Sequence, residues 1–424
     1  MSDDDLVFGM GAESVVRRDW PSLTADEVEA VLGAEVAEVE WRSPRPLSTT
    51  ARVRTDDGRR LIVKRLPQTL RTPEALAEEH GFMDHLRERG VRVPKAWTAG
   101  ARGGFTYEVQ ELGAGQDLYQ DSFSWSPYKE DAHAGIAGAA LADLHTAAAG
   151  YPAPPRPFRP LSSGFRIFGT ADPSRATGQI VPGSSGPRTS DGPEPIAAIR
   201  IFGAADPIAA IGRIASDRPA LGAFLADRDW RSDVERLMLP AHRRLLPVLA
   251  DLEPLWTHND WHGANLLWRG TESPTVLDFG LADRTTAAFD LAIALERFAV
   301  DWLSIRDGGP AHIQHSQLRR FLSAYRARRP EAARELAALP LLFPLAHAEY
   351  ELSEIDYFLS VVPSGSEKNA EIAYRDWFLG HAEWAESEEG LALLGLLRGD
   401  PPERPAPLSA PRPPWCASTS RRPP

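Results

Sequence analysis

The residues that could do chemistry lie close together. His258-Asn-Asp-Trp-His-Gly-Ala-Asn265 places a His, an Asp and an Asn in the order H-x-D-x-x-x-x-N, and Val276-Leu-Asp-Phe-Gly280 delivers a second carboxylate, Asp278, from an apolar stretch. Two carboxylates and an amide so clustered are what phosphoryl transfer from a nucleotide requires. Asp260 would accept the proton of an attacking hydroxyl, while Asn265 and Asp278 would hold Mg2+ against the phosphates. A loop rich in Asp and Asn can also do no more than satisfy its own backbone. The Asn five residues after Asp260 and the Asp-Phe-Gly shortly beyond favour the chemical reading. His258 and His262 have the spacing of a helical metal pair, but a Gly-containing loop without a third ligand argues against zinc there.

Upstream, the pattern supplies elements to position such a loop. Thr24 and Glu27 have capping-box spacing and open a helix with Val28, Val31 and Leu32 on its apolar face. Residues 52–55 and 60–64 read as strands flanking Asp56-Asp-Gly58, a hairpin turn. Lys64 ends the second strand, where it is either solvent-facing or in reach of a nucleotide's phosphates. Residues 43–50 precede the hairpin without a G-x-G-x-x-G pattern, so phosphates would meet Ser48, Thr49, Thr50 and backbone N–H groups. A helix predicted from Pro73 to about Arg89 carries Phe82, Met83 and Leu86 on one stripe with Glu79. A carboxylate on an apolar stripe needs a partner, and Lys64 is the obvious one. The strand over 107–112 relaxes into Gly113-Ala-Gly115, where main-chain groups near Glu111 and Leu112 would hold an adenine. An alanine-rich helix over 130–149 puts Leu141, Leu144 and His145 on one side, to pack beneath the central loop.

The chain has 424 residues, a quarter of them charged, a formal net charge of −12 and one cysteine, Cys416. That length exceeds one compact core and predicts two lobes or domains with additional segments. The acidity argues against general nucleic-acid or anionic-membrane binding and suits a cationic small-molecule partner. One cysteine permits neither a disulfide framework nor a cysteine-based metal site. The acidic first residues lack the order of a signal peptide and no apolar run is long enough to span a membrane, so a cytoplasmic protein, monomer or homodimer, is expected. The expected organisation is a loose leader at 1–18, a nucleotide-binding lobe at 19–112, a mainly helical lobe at 113–399 and a disordered proline-rich tail at 400–424. Residues 152–198, rich in Pro, Gly and Ser, are predicted to be a low-complexity insertion. Near it the octet Arg166–Pro173 recurs as Arg200–Pro207. The second copy runs into a helical pattern at 208–214 and is the better candidate for the native element.

These residues resemble the aminoglycoside phosphotransferase and choline kinase-like family, relatives of the protein kinases, over about residues 20–390. The two segments quoted first carry the resemblance, supported by Asp290-Leu-Ala292, Leu141-Ala-Asp-Leu-His145 and the order of Lys64 and Gly90-Val-Arg-Val-Pro94. The resemblance implies an α+β, bilobal protein kinase-like fold, with a small antiparallel-sheet lobe and one key helix over a larger helical lobe. ATP or GTP would lie between them with Mg2+. Asp260 matches the family's catalytic base, Asn265 and Asp278 its metal ligands, Lys64 its phosphate-contacting lysine and Glu79 that lysine's partner. Asp290 resembles the buried aspartate that braces the catalytic loop, and His258 its structural histidine. Asn259 stands where protein kinases usually carry Arg, and no Ala-Pro-Glu segment follows Asp278. A small-molecule hydroxyl acceptor is therefore expected rather than a protein. A catalytically silent nucleotide-binding scaffold is the alternative, and retention of all four central side chains counts against it.

The acceptor is expected against the helical lobe. There residues 347–357 bring Glu349, Glu351, Glu354 and Asp356 onto one helix, with Leu352, Ile355 and Leu359 on its buried side. The carboxylates would then face a cleft or water, and either a solvated surface or recognition of an amine-bearing acceptor follows, the latter helped by Trp302 or Tyr357 through cation–π contact.

Overall fold

Strand alternation around the Asp56-Asp-Gly58 turn builds the small lobe. The computed structural model describes residues 6–8, 15–43, 49–156, 160–161, 206–306, 308–363 and 365–399. Strands β1 (Leu6–Phe8) and β2 (Val15–Arg17), expected to belong to a loose leader, pair as an antiparallel ribbon. Helix α1 (Ala25–Leu32) starts at Thr24, whose hydroxyl accepts the Glu27 N–H at 3.2 Å. Strands β3 (Val36–Arg42), β4 (Thr49–Thr55), β5 (Arg60–Pro67), β6 (Ala96–Arg102) and β7 (Phe105–Glu111) form one antiparallel sheet in the order β3-β4-β5-β7-β6. Leu61 and Val63 point into a small core with Val53, Val109 and Val28. Two-residue periodicity therefore turns Lys64 to the opposite face, opposite Glu108 of β7.

Helix α2 (Pro73–Glu88) packs its Phe82-Met83-Leu86 stripe into the second, larger core rather than the sheet's own. Phe82 meets Tyr151, Trp256 and Phe279 at ring-centroid distances of 5.2, 5.3 and 5.9 Å. Two hydrophobic cores, one under the sheet and one among the helices, give the fold its two lobes.

The larger lobe begins with α3 (Asp131–Ala148), followed by α4 (Pro207–Asp217), α5 (Pro219–Ala226), α6 (Trp230–Leu237) and α7 (Leu239–Leu249). Of the repeated octet, only Asp206 and Pro207 fall within the described residues, and Asp206 caps α4 by accepting the Ala209 N–H at 2.9 Å. The rest of both copies, and the tail with Cys416, lie outside the described residues. Two short pairings then frame the central loop: β8 (Pro254–Thr257), the hairpin β9 (Leu266–Arg269) and β10 (Glu272–Val276), and β11 (Asp283–Thr286), which pairs with β8. Helix α8 (Ala287–Ala299) follows, buried along its whole length as a helix through the middle of a core must be. Around it lie α9 (Trp302–Arg306), α10 (His315–Arg328), α11 (Ala333–Ser360), α12 (Glu367–Ile372), a π-helical turn at Ala373–Leu379, α13 (Gly380–Trp384) and α14 (Glu388–Arg398). The sequence predicts separate helices at 332–348 and 349–361. The chain instead forms the single α11, with Pro340 and Pro344 inside it. Among the described residues, no helix is long and apolar enough to cross a membrane.

Candidate active site

The loop at 258–265 is held in place mainly by one buried carboxylate. Thr286 caps α8 by accepting the Phe289 N–H, which sets Asp290 in the helix's first turn, directly under the loop. Its Oδ2 accepts the His258 N–H at 2.9 Å, its Oδ1 the Asn259 N–H at 2.8 Å, and His145 Nε2 donates to Oδ2 at 2.9 Å. Burial lowers the pKa of His145, so its ring is neutral; Nε2 carries the proton and Nδ1 accepts from Tyr325 Oη, 2.7 Å away. Asn259 sits in the left-handed region at φ 61°, where a short polar side chain is tolerated better than most. Its Oδ1 accepts the hydroxyls of Thr257 and Thr285 at 2.8 and 3.0 Å. His258 ties the two motifs together: Nε2 donates to the Leu277 carbonyl at 2.8 Å and Nδ1 accepts the Asp260 N–H at 3.2 Å.

Asp260, Asn265, Asp278 and Lys64 converge on this frame. Asn265 Nδ2 donates to Asp260 Oδ2 at 3.0 Å and to its carbonyl at 2.9 Å. Asp278, at φ 53°, turns its carboxylate back so that Oδ1 accepts Lys64 Nζ at 3.0 Å. The Asp278 side chain keeps 44% of its surface exposed, which leaves oxygen lone pairs open to the cleft. Burial opposes both charges, yet each partner's charge prevails, holding the Asp278 carboxyl below and the Lys64 ammonium above their ordinary values. At Asp260 burial is likewise outweighed: His262 and Arg297 hold the carboxyl well below the usual range, with Arg297 Nη2 3.1 Å from Oδ1.

Glu79 departs from expectation. It is buried, but its carboxylate is held by Arg71 Nε at 2.8 Å and Arg156 Nη2 at 2.6 Å, while Lys64 bonds Asp278. The reason is reach: Arg71, just before α2, and Arg156, from the larger lobe, both meet Glu79, and Lys64 points across to the other loop. Arg156 also donates to the carbonyls of Gly280 and Ala282 at 3.2 and 2.9 Å, and its N–H to Asp283 at 2.8 Å. The stretch predicted to open a low-complexity insertion is thus ordered at Arg156, which is 4% exposed.

Of the residues proposed to hold the nucleotide, Ser48 lies outside the described residues. Thr49 is buried with its hydroxyl toward the Pro21 carbonyl, 3.5 Å away. Glu111 commits its N–H to the Lys95 carbonyl at 2.9 Å, whereas Leu112, just past the end of β7, is 39% exposed.

The acidic stretch of α11 was expected to face a cleft or water, and it does neither. Glu349, Glu351, Glu354, Asp356 and Tyr357 are all buried. Asp356 pairs with Arg218 at 2.6 Å and accepts the Ser360 hydroxyl at 2.9 Å, and Tyr357 donates to Asp19 at 2.9 Å. Trp302 stacks on His381 with ring centroids 3.7 Å apart, so its face is taken. Helices α5, α7, α8 and α12 to α14 and the π-helical turn pack against α11, which a one-helix reading of periodicity does not register.

Sequence reasoning missed Arg297. It is buried, with its guanidinium 4.2 Å from the Trp125 ring centroid and in contact with Asp260. A signal existed: Arg297 follows Asp290 by two helical turns and so shares its face, the face that meets the loop. Arg156 had no comparable signal, since its partners Glu79 and Asp283 are 77 and 127 residues away in the chain.

Comparison with known proteins gives the chain a family. The family model described as "Phosphotransferase enzyme family" matches residues 47–336, more than half of the chain. Among solved structures, an amicoumacin kinase (hAmiN) in complex with AMP-PNP, Ca2+ and Ami is 14% identical, with 86% of this chain and 97% of that one covered and a TM-score of 0.48. A putative fructosamine-3-kinase from Thermobifida fusca is 21% identical, with 83% and 98% covered and a TM-score of 0.45. An aminoglycoside-3'-phosphotransferase of type VIII is 19% identical, with 77% and 98% covered and a TM-score of 0.38. No curated protein matches the chain. On the strength of the family match, the chain belongs to the phosphotransferase enzyme family.

Proposed function

We propose that this phosphotransferase transfers the γ-phosphoryl group of ATP to a hydroxyl of a small amine- or sugar-containing acceptor in the cytoplasm. The observation that carries the reading is that Asp260 meets Asn265 and Asp278 meets Lys64, each at 3.0 Å, with the Leu277 N–H donating to the Asn265 carbonyl at 2.8 Å to join the two segments. Lobes at 19–112 and 113–399 would enclose the nucleotide. Asp260, ionised and steadied by Arg297 and Asn265, would orient the acceptor hydroxyl and take its proton. Lys64 would contact the phosphates not transferred.

The residues suit magnesium. A carboxylate and an amide are hard oxygen donors, and the Asp278 carboxylate is open on the cleft side. Asn265 and Asp278 would hold the ion, which when bound neutralises charge on the phosphate oxygens. The net charge of −12 suits an acceptor that carries an amine.

Asp260→Ala should abolish turnover on a panel of amine- and sugar-bearing alcohols while nucleotide affinity, read as Mg2+-dependent thermal stabilisation by ATP or GTP, stays within about threefold. Undiminished ATP consumption in that variant removes the base assignment. Nucleotide binding by the unaltered protein without consumption on any acceptor returns the scaffold reading.

A further inference from the structure

Behind the catalytic loop, three helices bring together side chains that the phosphoryl-transfer reading does not use. Glu296 comes from α8, His347 from α11 and His381 from α13, all buried, and one ligand atom from each lies within 4.8 Å of the others. His381 Nδ1 is 3.2 Å from Glu296 Oε1, and His347 Nδ1 is 3.6 Å from Glu296 Oε2. Tetrahedral coordination at about 2.0–2.1 Å from nitrogen and carboxylate oxygen spaces neighbouring donor atoms about 3.4 Å apart, close to the separation of His347 Nδ1 from Glu296 Oε2. Hydrogen bonding does not account for the cluster: Glu296 Oε2 and all four ring nitrogens of the two histidines are shielded from solvent without an aligned partner. Buried polar atoms are rarely left so.

We propose that Glu296, His347 and His381 form a binding site for a transition-metal dication of the zinc class. The surroundings are those of a metal-bound imidazole. Nδ1 of His347 faces Glu296, and its other nitrogen, Nε2, abuts the buried carboxylate of Glu351. Metal-ligating histidines commonly donate that second N–H to a carboxylate, which fixes the ring and raises its basicity. Trp125 Nε1 donates to Glu296 Oε1 at 3.0 Å and orients that carboxylate, leaving Oε2 for the metal. Trp302 stacked on His381 fixes the other imidazole. Two imidazoles and one carboxylate select zinc over magnesium or calcium, which take oxygen. The site would clamp α13 and α11 onto α8, one residue from Arg297 and hence one contact from Asp260.

The test uses full-length untagged protein stripped with a chelator and titrated with Zn2+ alone, without nucleotide. One equivalent should bind tightly and raise the thermal midpoint. Co2+ in its place should give the intense visible bands of a tetrahedral site. Asp278→Asn, which alters the proposed magnesium site, should bind zinc as the unaltered protein does. Glu351→Gln should weaken zinc binding about 10–100-fold, and His347→Ala with His381→Ala should abolish it. Absence of tight binding or of the Co2+ bands in the unaltered protein overturns the proposal without recourse to any variant. Zinc retained by the double variant, or lost in Asp278→Asn, also overturns it.

Discussion

Two sets of buried carboxylates in this molecule are supplied with donors very differently. Asp290 and Glu79 lie where loops and helix ends meet. Asp290 accepts two backbone N–H groups and an imidazole, and Glu79 holds two guanidiniums. Glu296, Glu351 and Glu354 lie inside the helical bundle with one arginine among them, and burial pushes the Glu351 and Glu354 carboxyls well above the usual range. The first arrangement spends its charge internally and fixes backbone. The second retains unspent acceptor capacity, which a ligand or metal can use. Buried charge alone therefore does not distinguish scaffold from site; the balance of donors to acceptors does.

The largest effect should come from the donor-rich side. Asp290→Ala removes the acceptor of three buried donors at once, and each such orphan costs about 1–3 kcal/mol. Allowing for relaxation, the variant should lose about 4 kcal/mol in urea unfolding, with Asp290→Asn losing about half as much because one oxygen remains to accept. A loss under about 1 kcal/mol would mean that the loop is held by something other than this carboxylate.

The two regions also differ in how far the sequence reveals them. His258, Asp260, Asn265 and Asp278 fall within 21 consecutive residues, and the hairpin between them closes by local pairing, so spacing alone indicates that they converge. The hairpin at Gly58, the Thr24 cap and the buried stripe of α2 were legible for the same reason: each is set by neighbours in sequence. Glu79 shows where this stops. Its burial follows from its place on the stripe, but its partner depends on how the two lobes approach, and Arg156 arrives from 77 residues away. The α11 carboxylates failed similarly. Their helix is readable, but its enclosure by elements on either side in sequence is not, and an apparently polar face became interior.

Arg297 joins the acid-rich interior to the loop, since it touches Asp260 and lies beside Glu296. Its removal tests whether the acid-rich interior acts on the loop. Arg297→Met should lower kcat about 10–100-fold at neutral pH, the size of a lost positioning contact. The pH profile separates positioning from mere structure. With Arg297 present, Asp260 is held well below the ordinary carboxylate range, so it stays ionised and turnover shows no acid limb from this group above about pH 5. Loss of the guanidinium raises that pKa, and turnover should then fall as pH drops through the new, higher value. Arg297→Lys should recover part of both effects. An unchanged profile in Arg297→Met would confine the arginine to packing against Trp125.

The smallest expected effect concerns Glu79, where the structure and the family resemblance part. If Glu79 served Lys64, then Glu79→Gln and Lys64→Met would weaken nucleotide binding alike. The geometry gives Glu79 to Arg71 and Arg156, which in turn hold the Gly280 carbonyl next to Asp278. Glu79→Gln keeps one oxygen to accept from a guanidinium and loses the charge, so it should cost about 1–2 kcal/mol of stability. It should change the Kd for ATP less than about threefold, whereas Lys64→Met, which removes the ammonium facing the phosphates, should raise it more than tenfold, about 1.4 kcal/mol or more. Equal losses of affinity in the two variants would show that the lysine exchanges Asp278 for Glu79 when nucleotide binds. The donor-rich carboxylate would then be part of the working site rather than its scaffold.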